Sequence, residues 1–176
     1  MTASETLYTT LDSPLGDLLL VGEESATAPG GTALAWLSVP GRKGGPSVRE
    51  GWKPDADAFA EIVAQLSSYF DGHRARFEIE FAHGGLSGGS AFRRTVWKAV
   101  EEIPYGSTVS YGELTAGIGA PRAAVRAVAS AVGANPLLVV RPCHRVIGAR
   151  GALTGYAGGL DRKRLLLARE GALPDA

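Results

Sequence analysis

A single cysteine, Cys143, stands in the run Arg141-Pro142-Cys143-His144-Arg145. A thiol becomes a competent nucleophile when it ionises, and cationic or imidazole neighbours favour the thiolate. Arg141, His144 and Arg145 are such neighbours by sequence. Two readings stay open. Cys143 is a reactive nucleophile with His144 as its base, or it is the small buried hydrophobe that a lone cysteine usually is. Adjacency does not decide between them. Consecutive side chains of an extended strand point to opposite faces, so His144 serves Cys143 only across a bend in the chain. One cysteine makes no internal disulfide and no cysteine-rich zinc site. No metal or cofactor is therefore expected, and the chain suits the reducing interior of a cell, a cytoplasmic location, nucleoid-associated if bacterial.

The elements around this run must position it. After Asn135-Pro136 the apolar stretch 137–140 reads as a buried strand that ends at Cys143. Beyond it lie the glycine-rich segment 151–160 and a last helix over about 161–170 carrying Leu165, Leu166 and Leu167. Upstream, Ser90 caps a helix whose apolar stripe is Phe92, Val96, Ala99, Val100 and Ile103, ended by Pro104-Tyr105-Gly106. Ser110-x-x-Glu113 is a capping box, so a short helix starts at Tyr111. After the turn 117–120, Pro121 is placed as a first helical residue, and the helix runs to about Gly133 with Val125, Val128, Ala129 and Val132 buried. Arg122, Arg126 and Ser130 share another face with Ala123 and Ala127 between them. This is the pattern of a DNA-binding helix-turn-helix. A helical hairpin with a solvated arginine face fits the same residues.

The N-terminal part reads differently. Leu7-Tyr8-Thr9-Thr10-Leu11 and Leu18-Leu19-Leu20-Val21 are strand-like runs about a turn at Asp12-Ser13-Pro14-Leu15-Gly16, with a further strand over 33–39. Residues 41–54 read as a surface loop. A helix follows from near Asp55 to Gly72, with Phe59, Ile62, Val63, Leu66, Tyr69 and Phe70 on one face, and 76–82 alternates as a half-buried strand. The glycine-rich stretch 83–89 is the linker candidate, which predicts an α/β domain over 1–84 and a mainly helical one over 85–176, an α+β chain overall. Residues 1–84 hold six Lys/Arg against twelve Asp/Glu, and residues 85–176 twelve against six. A basic C-terminal half suits a phosphate-bearing partner, although acids and bases also sort between halves by chance. No run is long and apolar enough to span a membrane, and the polar start shows no secretory signal.

Pro142-Cys143-His144-Arg145-Val146 resembles the active-site signature of the O6-alkylguanine-DNA alkyltransferases, the methylated-DNA–protein-cysteine methyltransferases. Further matches keep the family's order: Phe92-Arg93…Val96-Trp97, Ile103-Pro104-Tyr105-Gly106, Val109-Ser110-Tyr111, Arg126-Ala127-Val128, Asn135-Pro136, Gly155-Tyr156-x-Gly158-Gly159 and Leu166…Glu170. Asp12-Ser13-Pro14-Leu15-Gly16 and Tyr69-Phe70-x-Gly72 are similar to family members as well, so the resemblance covers nearly the whole chain. It implies a ribonuclease H-like N-terminal unit followed by a winged helix-turn-helix alkyltransferase domain. It also implies repair of double-stranded DNA by stoichiometric, suicidal transfer of the alkyl group from O6-alkylguanine to Cys143, with O4-alkylthymine left open as a second substrate. In that scheme His144 takes the thiol proton through water, Glu170 holds the imidazole, Asn135 braces the turn and Tyr111 donates a proton to the base. The Ala157 N–H faces O6, and main-chain groups of Cys143 and Val146 read the guanine edge. Tyr156 and Gly158 belong to the pocket. Arg126 is the finger that fills the gap left by the flipped base, with Arg122, Ala127 and Ser130 on the DNA face. The protein acts as a monomer, with cooperative assembly on DNA left open.

Some features depart from the family pattern. Between Tyr111 and Arg126 this chain has one residue more than typical members, so Arg122, one turn earlier, competes for the finger position. The N-terminal zinc-binding cysteines of some relatives are absent. Leu138 stands where some relatives carry proline, which would widen the pocket. Two other classes compete. Alkyltransferase-like sensors replace the cysteine with tryptophan, which Cys143 argues against. A DNA-binding regulator with a redox-sensitive cysteine leaves Asn135, His144 and Glu170 unexplained.

Overall fold

The computed structural model describes residues 5–42 and 47–173. The start of the chain before Glu5, where no secretory signal was expected, and residues 43–46 of the expected 41–54 loop lie outside the described residues. The chain divides into two compact units, Met1–Gly88 and Gly89–Ala176, inside the stretch expected to be a linker.

In the N-terminal unit, β1 (Leu7–Ser13) and β2 (Gly16–Glu24) form a hairpin closed by Pro14 and Leu15. Gly16 lies at φ 99°, a backbone region that glycine enters without steric cost. β3 (Thr32–Ser38) adds antiparallel to β2. A short β4 (Lys53–Pro54) adds parallel to β1, within a segment expected to be loop throughout, giving the order β3-β2-β1-β4. Two residues carry no periodicity, which is why β4 is invisible in the sequence. The helix expected from Asp55 is a 3-10 turn, Asp57–Phe59, followed by α1 (Ala60–Phe70), which buries Phe59, Ile62, Leu66, Tyr69 and Phe70. The alternating segment 76–82 is extended but is not a full strand. It meets β3 only through an isolated bridge, Leu34 to Phe81, with Leu34 N donating to Glu80 O and Ala82 N to Leu34 O. A buried side chain supplies what the ladder does not. Gln65 of α1 donates to Glu78 O at 3.1 Å and accepts Glu78 N–H at 2.7 Å.

The C-terminal unit opens with α2 (Ala91–Glu101), capped by Ser90 as expected. Val96, Val100 and Ile103 are buried, but Phe92 is 39% exposed because the whole first turn, residues 91–95, faces solvent. Trp97 takes the inward role instead, its indole N–H donating 2.8 Å to Ala131 O and so tying α2 to the later helix. β5 (Val109–Ser110) leads into α3 (Tyr111–Gly117) through a complete capping box between Ser110 and Glu113. Pro121 is the residue before the next helix and not its first: at φ −66°, ψ 151° it precedes a 3-10 turn, Arg122–Ala124, which runs into α4 (Val125–Gly133). Val128, Ala131 and Val132 are buried, while Arg122, Ala123, Arg126, Ala127 and Ser130 are exposed. Val125 and Ala129, expected in the core, are half-buried. β6 (Val146–Ile147) pairs parallel with β5, and α5 (Leu160–Arg169) closes the unit. No helix among the described residues is long and apolar enough to cross a membrane.

Candidate active site

The run 137–140 is buried as expected, but it is a succession of turns and not a strand. Val140 N donates to Leu138 O at 2.8 Å across Val139, whose φ is 71°. Such γ-turns are rare and strained, more so at a β-branched residue, and strain of this kind costs on the order of 1–3 kcal/mol. A second tight turn follows, with Cys143 N donating to Arg141 O at 2.7 Å across Pro142. Cys143–Arg145 then form a 3-10 turn that passes into β6. This is the bend that the sequence demanded. Three residues per turn send Cys143, His144 and Arg145 in three different directions.

One side chain holds the knot. Asn135 Nδ2 donates to Leu137 O (3.3 Å), Arg141 O (3.0 Å) and Cys143 Sγ (3.1 Å), and Asn135 Oδ1 accepts Leu137 N–H (3.0 Å). A wholly buried amide with all its bonds made over-determines the strained loop. Its N–H aimed at the sulfur favours the thiolate, since a donor stabilises the charged acceptor. Arg141 stacks on Trp97 at 4.9 Å, pairs with Glu101 at 3.5 Å and reaches Asn135 Oδ1 with Nη1 at 3.5 Å.

His144 and Glu170 are both fully buried, joined by a 2.7 Å contact between Nε2 and Oε2. A proton on Nε2 serves the carboxylate, which leaves Nδ1 as the accepting nitrogen of a neutral ring. Nδ1 is buried without a protein hydrogen-bond partner. Burial pulls the imidazole below its ordinary range, Glu170 opposing and the Arg145 and Lys163 charges adding to the fall. His144 is thus a neutral base at neutral pH. Glu170 is also gripped by Arg145, which donates Nε–H to Oε1 at 2.7 Å and Nη2–H to Oε2 at 3.0 Å.

Cys143, 3% exposed, lines an apolar cavity of about 500 Å³ with Tyr111, Val125, Arg126, Ala129, Val132, Gly133, Thr154, Gly155, Tyr156 and Ala157. Pairing of β5 with β6 brings Tyr111 beside the Cys143 turn, since Tyr111 follows Ser110 directly and Val146 follows Arg145. Burial, reinforced by the Cys143 charge, raises the Tyr111 phenol above its usual range, so it stays a proton donor; its contact with Thr154 O opposes the rise. Of the expected pocket residues, Tyr156 and Ala157 line the cavity. Val146 and Gly158 are buried outside its lining, as is Leu138, so Leu138 does not widen it. Val146 N donates to Cys143 O, and Val146 O accepts from Lys163. Arg126 belongs to this cavity, whereas Arg122 lines a neighbouring one with Ser110, Gly112, Thr115 and Ala149. Ala127 and Ser130 lie on the exposed face of α4.

Lys163 was missed in the sequence. It is wholly buried, with Nζ donating to Val146 O (2.6 Å), Thr154 O (3.0 Å) and Gly155 O (3.2 Å). It fastens β6 and the Thr154–Gly155 wall of the cavity to α5. Burial lowers its ammonium to about 8, against the Cys143 charge, which favours it. Its signal was available: Lys163 lies three and four residues before buried Leu166 and Leu167, on the inward face of α5. No cluster of metal-binding side chains occurs among the described residues.

A buried thiol with an imidazole–carboxylate pair, set into a helix-turn-helix unit with a two-stranded wing, defines a DNA-binding protein that works by transfer to sulfur. Comparison with known proteins gives that class its family. Residues 91–172 match the model of the 6-O-methylguanine DNA methyltransferase DNA-binding domain, and residues 6–83 that of its ribonuclease-like domain. The chain belongs to the 6-O-methylguanine DNA methyltransferase family. It is 50% identical over 163 residues to a methylated-DNA–protein-cysteine methyltransferase of Mycolicibacterium paratuberculosis, covering 93% of this chain and 91% of the relative. A relative of the same name from Methanosarcina acetivorans is 41% identical over 94% of this chain and 98% of its own. The crystal structure of Mycobacterium tuberculosis OGT in complex with DNA superposes with a TM-score of 0.82 at 44% identity, covering 97% of this chain and 96% of that one.

Proposed function

We propose that this chain reverses DNA damage directly, moving the alkyl group of O6-alkylguanine in double-stranded DNA onto Cys143 in one irreversible step. The observation that carries this reading is the cavity itself. It is apolar, sized for a small planar ligand, and its lining runs from the buried thiol to the exposed Arg126 of the second helix of the helix-turn-helix. A stacked base reaches such a cavity only by leaving the duplex. Arg126 then fills the gap left in the stack, while Arg122, Ala127 and Ser130 lie along the backbone.

His144 Nδ1 takes the thiol proton through a water, and Glu170 keeps the ring in the tautomer that allows it. The thiolate attacks the alkyl carbon. The S–C bond forms as the C–O6 bond breaks, and the electron pair leaves with the guanine oxygen. A proton delivered from the Tyr111 phenol to the base, with the Ala157 N–H toward O6, meets that charge. The thiol proton now on His144 returns through solvent to the Tyr111 phenolate, so one proton leaves sulfur and one arrives at guanine. Main-chain groups of Cys143 and Val146 read the base edge and Asn135 holds the loop. The C-terminal domain, 85–176, carries every one of these residues, and 1–84 is the accompanying α/β domain. The chain works as a monomer in the cytoplasm, where a lone thiol stays reduced.

Duplex DNA bearing a labelled methyl at O6 tests this. Intact mass should show one methyl per chain, on the peptide holding Cys143. Cys143→Ala should take up none while still binding DNA. Repeated turnover, or label elsewhere, would overturn the reading.

A further inference from the structure

Glu170 is an unusual carboxylate to leave ionised. It is wholly buried and caps the C-terminus of α5, where the helix dipole is negative, so desolvation and dipole both oppose its charge. His144, held neutral, offers it one hydrogen bond and no cation. The compensating cation is Arg145, which takes both carboxylate oxygens with its fork, while Nη1 donates 2.7 Å to Ile103 O just beyond the end of α2. Arg145 is buried as well, so its partners are fixed and undiluted by water. Oε2 is shared: it receives both Arg145 Nη2–H and the His144 ring. A carboxylate oxygen already accepting from a guanidinium is a weaker partner for a second proton.

We propose that Arg145 is the positioning residue of the transfer. It keeps Glu170 charged and turned so that one oxygen orients His144, and by sharing that oxygen it stops Glu170 from drawing a proton onto His144. Glu170 thereby fixes the tautomer of the ring without protonating it, and Nδ1 remains available to accept from the thiol. The inference rests on the transfer reading above for its catalytic meaning, and on geometry alone for its effect on His144. Of the charged groups facing the ring, Arg145 from its own turn and Lys163 from α5 disfavour a proton on His144, and Glu170 at the end of α5 favours one.

The test reads His144 directly. In full-length protein labelled with nitrogen-15 in the imidazole, the wild type should show a neutral ring with its proton on Nε2 at neutral pH. A protonated ring, or a proton on Nδ1, overturns the proposal before any variant is made. In Arg145→Lys, which keeps the charge and loses the fork, His144 should bind its proton about tenfold more tightly, a rise of one unit in its titration midpoint. Arg145→Gln should shift it in the same direction. Single-turnover transfer should then fall at neutral pH and recover toward alkaline pH, its acid limb moving with the titration, while duplex affinity is unchanged. Folded variants whose His144 titrates as in the wild type, with only a lowered melting temperature, reduce Arg145 to a structural bridge and sink the idea. A displaced titration in a protein that transfers no methyl even as wild type leaves the positioning intact and refutes the transfer reading instead.

Discussion

Lys163 is a cation placed where a cation is costly, and three carbonyls hold it there. The sign of its pH effect follows from the lowered value of about 8 against 10.5 for an ordinary lysine. The unfolded chain binds the proton more tightly than the folded one, so the cost of burying the charge is complete below about pH 8. It is relieved as pH rises from there through the ordinary lysine range. The difference in unfolding free energy between the wild type and Lys163→Met should therefore move in favour of the wild type across that interval. Denaturant titrations at a series of alkaline pH values would read it, and a flat difference would mean that burial leaves the Lys163 ammonium at its ordinary value. At this scale the sequence was partly legible. Cys143, His144, Asn135 and Glu170 could be named because they coincide with a signature, and the structure puts Asn135 against the sulfur and Glu170 against the ring. Lys163 sat among Arg162 and Arg164, and a run of three cations reads as solvated surface unless its spacing from Leu166 and Leu167 is counted.

The elements were legible where local chemistry fixes them and obscure where tertiary contacts do. Ser90, Ser110 with Glu113, and the spacing of Val128 and Val132 announce their helices, because caps and apolar stripes are local devices. The stretch 137–140 misled, since a short buried apolar run has no period. Its turns are held by one side-chain amide, Asn135, and include a positive φ at valine that no propensity suggests. The 3-10 turn Arg122–Ala124 precedes α4, and Arg126 lies on the cavity with Arg122 outside it. A paired experiment follows. Free O6-benzylguanine needs no flipping, so Arg126→Ala should react with it normally and slowly with alkylated duplex. Arg122→Ala should weaken duplex binding in a salt-dependent way with little change in rate once DNA is saturating. Exchange of the two phenotypes would place the finger one turn earlier.

Across the whole molecule the charge is divided, with the twelve basic residues of 85–176 set against only six acids. If this half meets the phosphates, affinity for undamaged duplex should drop by about a hundredfold between roughly 50 and 200 mM salt for four neutralised phosphates. The rate on free O6-benzylguanine should stay constant over the same range. Equal sensitivity of both would mean that salt acts on the cavity and not on the DNA face. The thiol in that cavity also decides how the protein is to be counted. Cys143 is the chain's sole cysteine, and a thioether offers no good leaving group for regeneration. Michaelis constants lose their usual meaning for such a molecule. Its dose–response is a titration with an end point, and protection equals the number of unspent copies, falling in unit steps. Supply by synthesis, and not speed, then sets how much damage a cell holding this protein can absorb.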